Sequence, residues 1–165
     1  MIFFDASAIV KAYVSEVGSP MVHAALAHND GGRYLTPAVV LEVLSALAKR
    51  RRGNTLSRSE YRAARKKFIQ ALGASFRVLE LHGAEFVAAY ELAHRHRRVS
   101  AGPSDVLHVA SALRLQGAIR DRAVIVASSD RGFLSVARAE GLRTFNPETA
   151  NLQMLLDLSR VTAAN

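Results

Sequence analysis

The sequence predicts an α/β fold in which a parallel sheet is covered by helices on both faces. Two observations carry that expectation. Short β-forming runs alternate with helical patterns along the chain, and strands joined through helices lie parallel with right-handed crossovers. Two of the runs, Ile2, Phe3, Phe4 and Val124, Ile125, Val126, are wholly apolar, as strands covered on both faces are.

The first run ends at Asp5, and residues 7–16 then carry Ile9, Val10, Tyr13 and Val14 at helical spacing. Taken alone, Asp5 reads as the N-cap that such a helix needs. Gly18, Ser19 and Pro20 break the pattern before a short helix ending near His28, and Asn29, Asp30, Gly31 and Gly32 form a turn. A second strand fits residues 33–35, and Pro37 opens a helix over 38–52. Between Ala38 and Ala48 every residue is apolar except Glu42 and Ser45. A carboxylate in a helix that should be largely buried needs a partner, yet Ser45 and Ala46 occupy the positions where a local ion pair would form.

Gly53 and Asn54 end this helix, and Ser57 with Glu60 makes a capping-box signature for the next, which runs to about Leu72. Nine of the 22 basic residues fall between Lys49 and Lys67, opening with Lys49, Arg50, Arg51 and Arg52, and Glu60 is the single acid among them. Such a run fits either a solvated face or a polyanion-binding surface. A strand is expected over 76–81, then a helix over 84–96 with Phe86, Val87, Tyr90 and Ala93 on one face. A second basic group, His94 to Arg98, precedes a loop over 100–103, and Asp105 enters the first turn of a helix through Leu115, where acids complement the helix dipole. The strand over 123–128 leads through Ser128, Ser129 and Asp130 into a helix over 131–140, Gly141 stops it, and a last strand spans 143–145. Leu152, Leu155, Leu156 and Leu158 suggest one more amphipathic helix. Residues 1–147 therefore read as one domain, with 148–165 a helical extension packed on it.

The chain has 165 residues, half of them hydrophobic, and no cysteine. That excludes disulfides and zinc-thiolate sites, and no apolar stretch approaches the ~18 residues of a membrane span. The start of the chain does not read as a secretory signal, so a cytoplasmic protein is the expectation. The formal charge of +8 favours polyanionic partners, nucleic acid first.

On an α/β scaffold Asp5 and Asp130 follow two strands, Asp105 begins a helix and Glu42 interrupts an apolar one. Carboxylates brought together repel, and some would be forced to take up protons unless a cation compensates. Oxygen donors without thiols select hard ions, Mg²⁺ or Mn²⁺. Such ions activate water and polarise phosphoryl oxygens, so phosphodiester hydrolysis is the natural reaction. A phosphatase with a strand-end aspartate nucleophile fits less well, because Ser7 stands where a second aspartate is needed.

The ordered pieces Asp5 to Ala8, Glu42 in its apolar helix, Ser104 to Ala112, and Ser128 to Phe133 resemble the PIN-domain family, most of all the VapC toxins of type II toxin-antitoxin pairs, over residues 2–147. The resemblance implies a three-layer sandwich around a five-stranded parallel sheet and a metal-dependent endoribonuclease. It makes Asp5 and Asp105 the strongest metal ligands, with Glu42 and Asp130 completing the acidic pocket and Ser7 and Ser128 as supporting polar groups. It also implies a homodimer and a small antitoxin partner. A catalytically inactive PIN-like protein that holds RNA or a partner is the alternative; four intact acids oppose it, since an RNA binder gains nothing from a negative pocket. His108 lies one turn after Asp105 and could reach the pocket, although a helical histidine is more commonly a surface or core polar group. His94 and His96 are assigned to the basic surface.

Overall fold

In the computed structural model of the chain, residues 1–27, 31–119 and 122–160 are described. Five strands, β1 (Ile2–Phe4), β2 (Arg33–Leu35), β3 (Arg77–Val78), β4 (Ile125–Ala127) and β5 (Arg143–Phe145), form one sheet in the order β3-β2-β1-β4-β5. Every neighbouring pair is parallel. Helices α1 (Ala6–Ile9), α2 (Ser19–Ala27), α3 (Pro37–Arg52), α4 (Arg58–Ala74), α5 (Gly83–Arg95), α6 (Pro103–Ala118), α7 (Arg131–Ala139) and α8 (Leu152–Arg160) connect and flank it.

The apolar run at the start of the chain becomes the central strand. Ile2 pairs with Arg33 on one side and Ile125 on the other, so β1 is hydrogen-bonded along both edges. Its alternating side chains feed two cores. Ile2 and Phe4 pack with Leu35, Val39, Leu47 and Phe68, while Phe3 packs with Val109, Val126, Phe133 and Val136. Phe3 and Phe4 are fully buried, and burial of one such ring contributes about 1.5–3 kcal/mol. The chain leaves β1 toward β2 and β3, then returns to β4 and β5 on the other side. This strand-order reversal opens a crevice at the carboxyl ends of β1 and β4, where open α/β sheets bind ligands.

Several local expectations hold. Thr36 caps α3 through Val39, with Pro37 in its first turn, and Ser57 and Glu60 form the reciprocal capping box of α4. Others are corrected. The helix expected over 7–16 is only the four-residue α1 followed by a 3₁₀ turn at Val10–Ala12. The strand expected over 76–81 shrinks to two exposed residues, because β3 is an edge strand with no second neighbour to extend it. The face of α5 bearing Phe86, Val87 and Tyr90 points outward, while Glu85, Ala89 and Leu92 turn inward. His96 is not on the open basic surface: its Nε2 lies 2.6 Å from Glu140 and its side chain is mostly buried. Of the turn expected over 29–32, Asn29 and Asp30 lie outside the described residues, as do His28 and residues 161–165 of the extension. The described part of the extension packs back on the domain, with Leu155 buried in the core that also holds Val22.

Candidate active site

Asp5 leaves β1 with extended backbone and caps α1, its Oδ2 accepting from the Ser7 amide at 3.1 Å. Two hydroxyls converge on the same oxygen, Ser7 Oγ at 2.6 Å and Ser128 Oγ at 2.9 Å. Ser128 stands at the end of β4, the strand paired with β1, and the register alone sets these groups side by side. Ser7 Oγ also accepts from the Ser129 amide, and Ser128 Oγ from the Asp130 amide. Asp5 is 4% exposed, and among the described residues all three of its side-chain donors engage Oδ2. The cap reading and the site reading of Asp5 are therefore compatible, since one oxygen serves the helix and the hydroxyls while Oδ1 is left to the cavity.

Glu42 finds across the cavity the partner its own helix lacks. Its Oε2 lies 3.0 Å from Nε2 of His108, a fully buried ring whose Nδ1 is 3.2 Å from Thr36 Oγ1. Burial alone would push the Glu42 carboxyl up, but hydrogen bonds from His108 and Ser104 and the charge of His108 hold it below its ordinary range. Asp105 behaves in the opposite way. It occupies the third position of α6, its Oδ2 accepting from the Gly102 amide at 2.5 Å. Burial first, and then the Asp130 and Asp5 carboxylates, push its carboxyl up against the pull of that amide. Asp130 is exposed and caps α7 through the Phe133 amide at 2.8 Å.

All four acids line one cavity of about 550 Å³, together with Ser7, Ser104 and Ser129. A glycine brings two of them together. A Cβ on Gly132, in the first turn of α7, would run into the Ser100 carbonyl, so the loop entering α6 and the start of α7 can approach only because residue 132 has no side chain.

Donor atoms of Asp5, Glu42 and His108 all lie within 4.8 Å of one another. The set suits a hard divalent ion: oxygen donors dominate, Oδ1 of Asp5 is available, and the carboxylate repulsion that adds to burial in raising Asp105 is what a cation would relieve. Asp105, whose Oδ2 accepts from Gly102, lines the same cavity but is not one of this tight group. His108 stands closer to Asp5 and Glu42 than its place in the sequence indicates. Its signal was indirect: an acid stranded in an apolar helix requires a partner, and a histidine one turn after another candidate acid can supply it. Lys11, Arg50, Glu16 and Glu148 also line the cavity, and of these only Arg50 was singled out beforehand. Lys49 and Arg52 are exposed elsewhere on α3.

A parallel sheet with acids gathered at its strand-order reversal defines a class of metal-site α/β domains, and the PIN-domain family profile matches residues 2–139. The chain belongs to the PIN-domain family, among its VapC-type members. It is 33% identical over 143 residues to Ribonuclease VapC45 of Mycobacterium tuberculosis, covering 87% of this chain and 93% of that protein. Solved structures share the fold, two of them as follows. FitAcB from Neisseria gonorrhoeae superposes with a TM-score of 0.65 at 19% identity, covering 91% of this chain and all of that one. Mycobacterium tuberculosis VapC20, described as a sarcin-ricin loop cleaving toxin, gives 0.65 at 20% identity, covering 86% of this chain and 96% of its own.

Proposed function

We propose that the chain is a metal-dependent endoribonuclease that hydrolyses RNA phosphodiester bonds as the toxin of a type II toxin-antitoxin pair. The observation that carries this reading is the meeting of Asp5, Glu42, Asp105 and Asp130 on one cavity. RNA is taken as substrate from the ribonuclease relative, and from the charge of +8, which suits a phosphate backbone.

We assign Asp5 and Asp105 as ligands of Mg²⁺ or Mn²⁺, with Glu42 and Asp130 completing the pocket directly or through water. A bound ion of this kind supplies Lewis acidity to a phosphoryl oxygen and to water. Ser7 and Ser128 fix the Asp5 carboxylate in one orientation. His108 fixes Glu42, and Glu42, held ionised, can accept a proton from the attacking water at its carboxylate. Burial, and then the repulsion of Asp130 and Asp5, disfavour the charge of Asp105, a penalty that a cation relieves.

The test is incubation of purified protein with RNA in Mg²⁺, Mn²⁺ or EDTA. Cleavage with either ion and none in EDTA is expected; retention of RNA without cleavage under every condition would establish the inactive binding protein instead. Growth arrest on expression, relieved by a small antitoxin, follows for a toxin acting in the cytoplasm, and arrest that persists with Asp5→Ala would argue against a nuclease cause. For the homodimer we assign the outward face of α5, where Phe86, Val87 and Tyr90 are 57%, 65% and 70% exposed, since contiguous apolar surface marks an association site. Light scattering should give twice the mass of the chain, and Tyr90→Glu should halve it.

A further inference from the structure

The acid cavity has a second, cationic wall that the hydrolytic scheme leaves unused. Lys11 follows α1 in the 3₁₀ turn and is 6% exposed. Its Nζ donates to Glu148 Oε1 at 2.8 Å and to Glu16 Oε1 at 3.3 Å. Arg50, in the last turn of α3, directs Nη2 to both carboxylate oxygens of Glu16 at 2.9 and 3.2 Å. All four side chains line the cavity that holds Asp5, Asp105 and Asp130. Burying an ammonium is costly, and fastening the loop and the tail together does not require it. Gly18 already sits so close to the Pro147 and Glu148 backbone that a Cβ there would approach within 2.9 Å, so these segments are joined by packing.

We propose that Lys11 and Arg50 are a phosphate clamp of the active-site cavity, held in the free protein by Glu16 and Glu148, which an RNA phosphate displaces. The chemistry of the donors fits. A guanidinium and an ammonium that grip carboxylate oxygens will grip phosphate oxygens in the same way. The geometry permits exchange, because Glu148, Arg50 and Glu16 side chains are 38%, 28% and 27% exposed while Lys11 stays fixed beneath them. The clamp also answers an electrostatic need, since a cavity lined by six acids, Glu16 and Glu148 among them, repels the phosphates flanking the one that is cut. Glu148 belongs to the C-terminal extension, which thereby becomes part of the substrate site. This inference rests on RNA being the substrate.

The test measures binding separately from cleavage. Fluorescence anisotropy of a labelled short single-stranded RNA in EDTA, over a range of salt, reports affinity for wild type, Lys11→Met, Arg50→Met and Glu148→Gln, each first shown to be folded by its thermal melt. Lys11→Met and Arg50→Met should each weaken binding and lower the salt slope by about 0.7, the contribution of one phosphate contact on a single strand. Glu148→Gln removes a competitor: binding should tighten several-fold in the wild-type background and not in a Lys11→Met background, whereas mere loss of one repelling charge would tighten both alike. The clamp is overturned if wild type does not bind, if both cation variants bind as wild type does, or if Glu148→Gln fails to tighten binding or tightens it alike in both backgrounds. If binding follows the expected pattern but Mg²⁺ and Mn²⁺ elicit no cleavage, the nuclease reading fails and the clamp stands.

Discussion

Asp5 and Asp105 face one cavity but are held in different ways. Asp5 is fixed on a central strand end by two hydroxyls and an amide, one hydroxyl coming from the neighbouring strand. Asp105 rides in the first turn of a helix, its carboxylate on a single amide of its own loop, and its neighbours disfavour its charge. The difference teaches that the sheet end supplies a rigid, preorganised half of the site, while the first turn of α6 supplies an acid whose charge is opposed by burial and then by its acidic neighbours. Preorganisation of this kind is what catalytic electrostatics requires.

The largest expected effect tests whether that contrast is real. Asp5→Asn and Asp105→Asn should each reduce RNA cleavage by at least about 10²–10³-fold, the scale of losing one preorganised charged group. Their effects on the metal-free fold should differ in sign. Asp5→Asn trades a buried charge-assisted network for an amide facing hydroxyls and should cost about 1–3 kcal/mol, whereas Asp105→Asn keeps an acceptor for Gly102, relieves repulsion and should raise Tm in EDTA. A drop in Tm for both variants would erase the distinction between the two halves.

Next in size is Gly132→Ala. The methyl has no room beside the Ser100 carbonyl, so the start of α7 must move from the loop that enters α6. Cleavage should fall by on the order of tenfold to a hundredfold, the usual loss when a supporting contact of a metal site is disturbed, although residue 132 has no side chain and does not line the cavity. Wild-type activity in a folded Gly132→Ala protein would mean that the spacing of Asp105 and Asp130 is not critical.

Much of this arrangement was legible in the sequence. The apolar runs identified β1 and β4, and the acids that end them fell on one cavity because parallel strands in register carry their ends together. Glu42 declared itself by lacking a partner in its own helix. What was hidden depends on distance in space. His108 reads as an ordinary helical histidine until α3 and α6 are docked. Lys11 and Glu148 are 137 positions apart, and no local pattern joins them. The outward face of α5 misleads for a related reason: apolar spacing shows which residues share a face, but not that the smaller Ala89 and the ion-paired Glu85 turn inward instead.

Acidity separates the two helical carboxylates by a smaller effect. Glu42 is held below its ordinary value of 4.5, so its contribution to stability is present above that value and lost as pH falls through the folded pKa. Asp105 is held above its ordinary 3.8, so its contribution is present in acid and lost as pH rises through the folded pKa. Thermal melts in EDTA from acid to neutral pH should show Glu42→Gln below wild type at neutral pH and converging with it in acid, and Asp105→Asn above wild type at neutral pH and also converging in acid. Both groups are partly solvated, so each difference should stay within about 2–4 °C, roughly 1 kcal/mol for a chain of this size. Parallel profiles for the two variants would contradict the opposite environments seen for these groups.

The smallest effect asks whether stability and site chemistry can be separated at all. Ser57 caps α4 away from the cavity, its Oγ accepting from the Glu60 amide while the Glu60 carboxylate accepts from the Ser57 amide. Ser57→Ala removes one half of that exchange and exposes the first turn of a helix that buries Ala64 and Phe68 and packs Tyr61 and Leu72 against the same core. Tm should fall by about 2–4 °C, with cleavage at a temperature well below the transition unchanged. A proportionate loss of cleavage would mean that α4 transmits strain through Phe68, which packs in the same core as Phe4, to the strand end that carries Asp5. Unchanged cleavage alongside the Gly132→Ala defect would establish that the site responds to the spacing of its own walls and not to the stability of the fold as a whole.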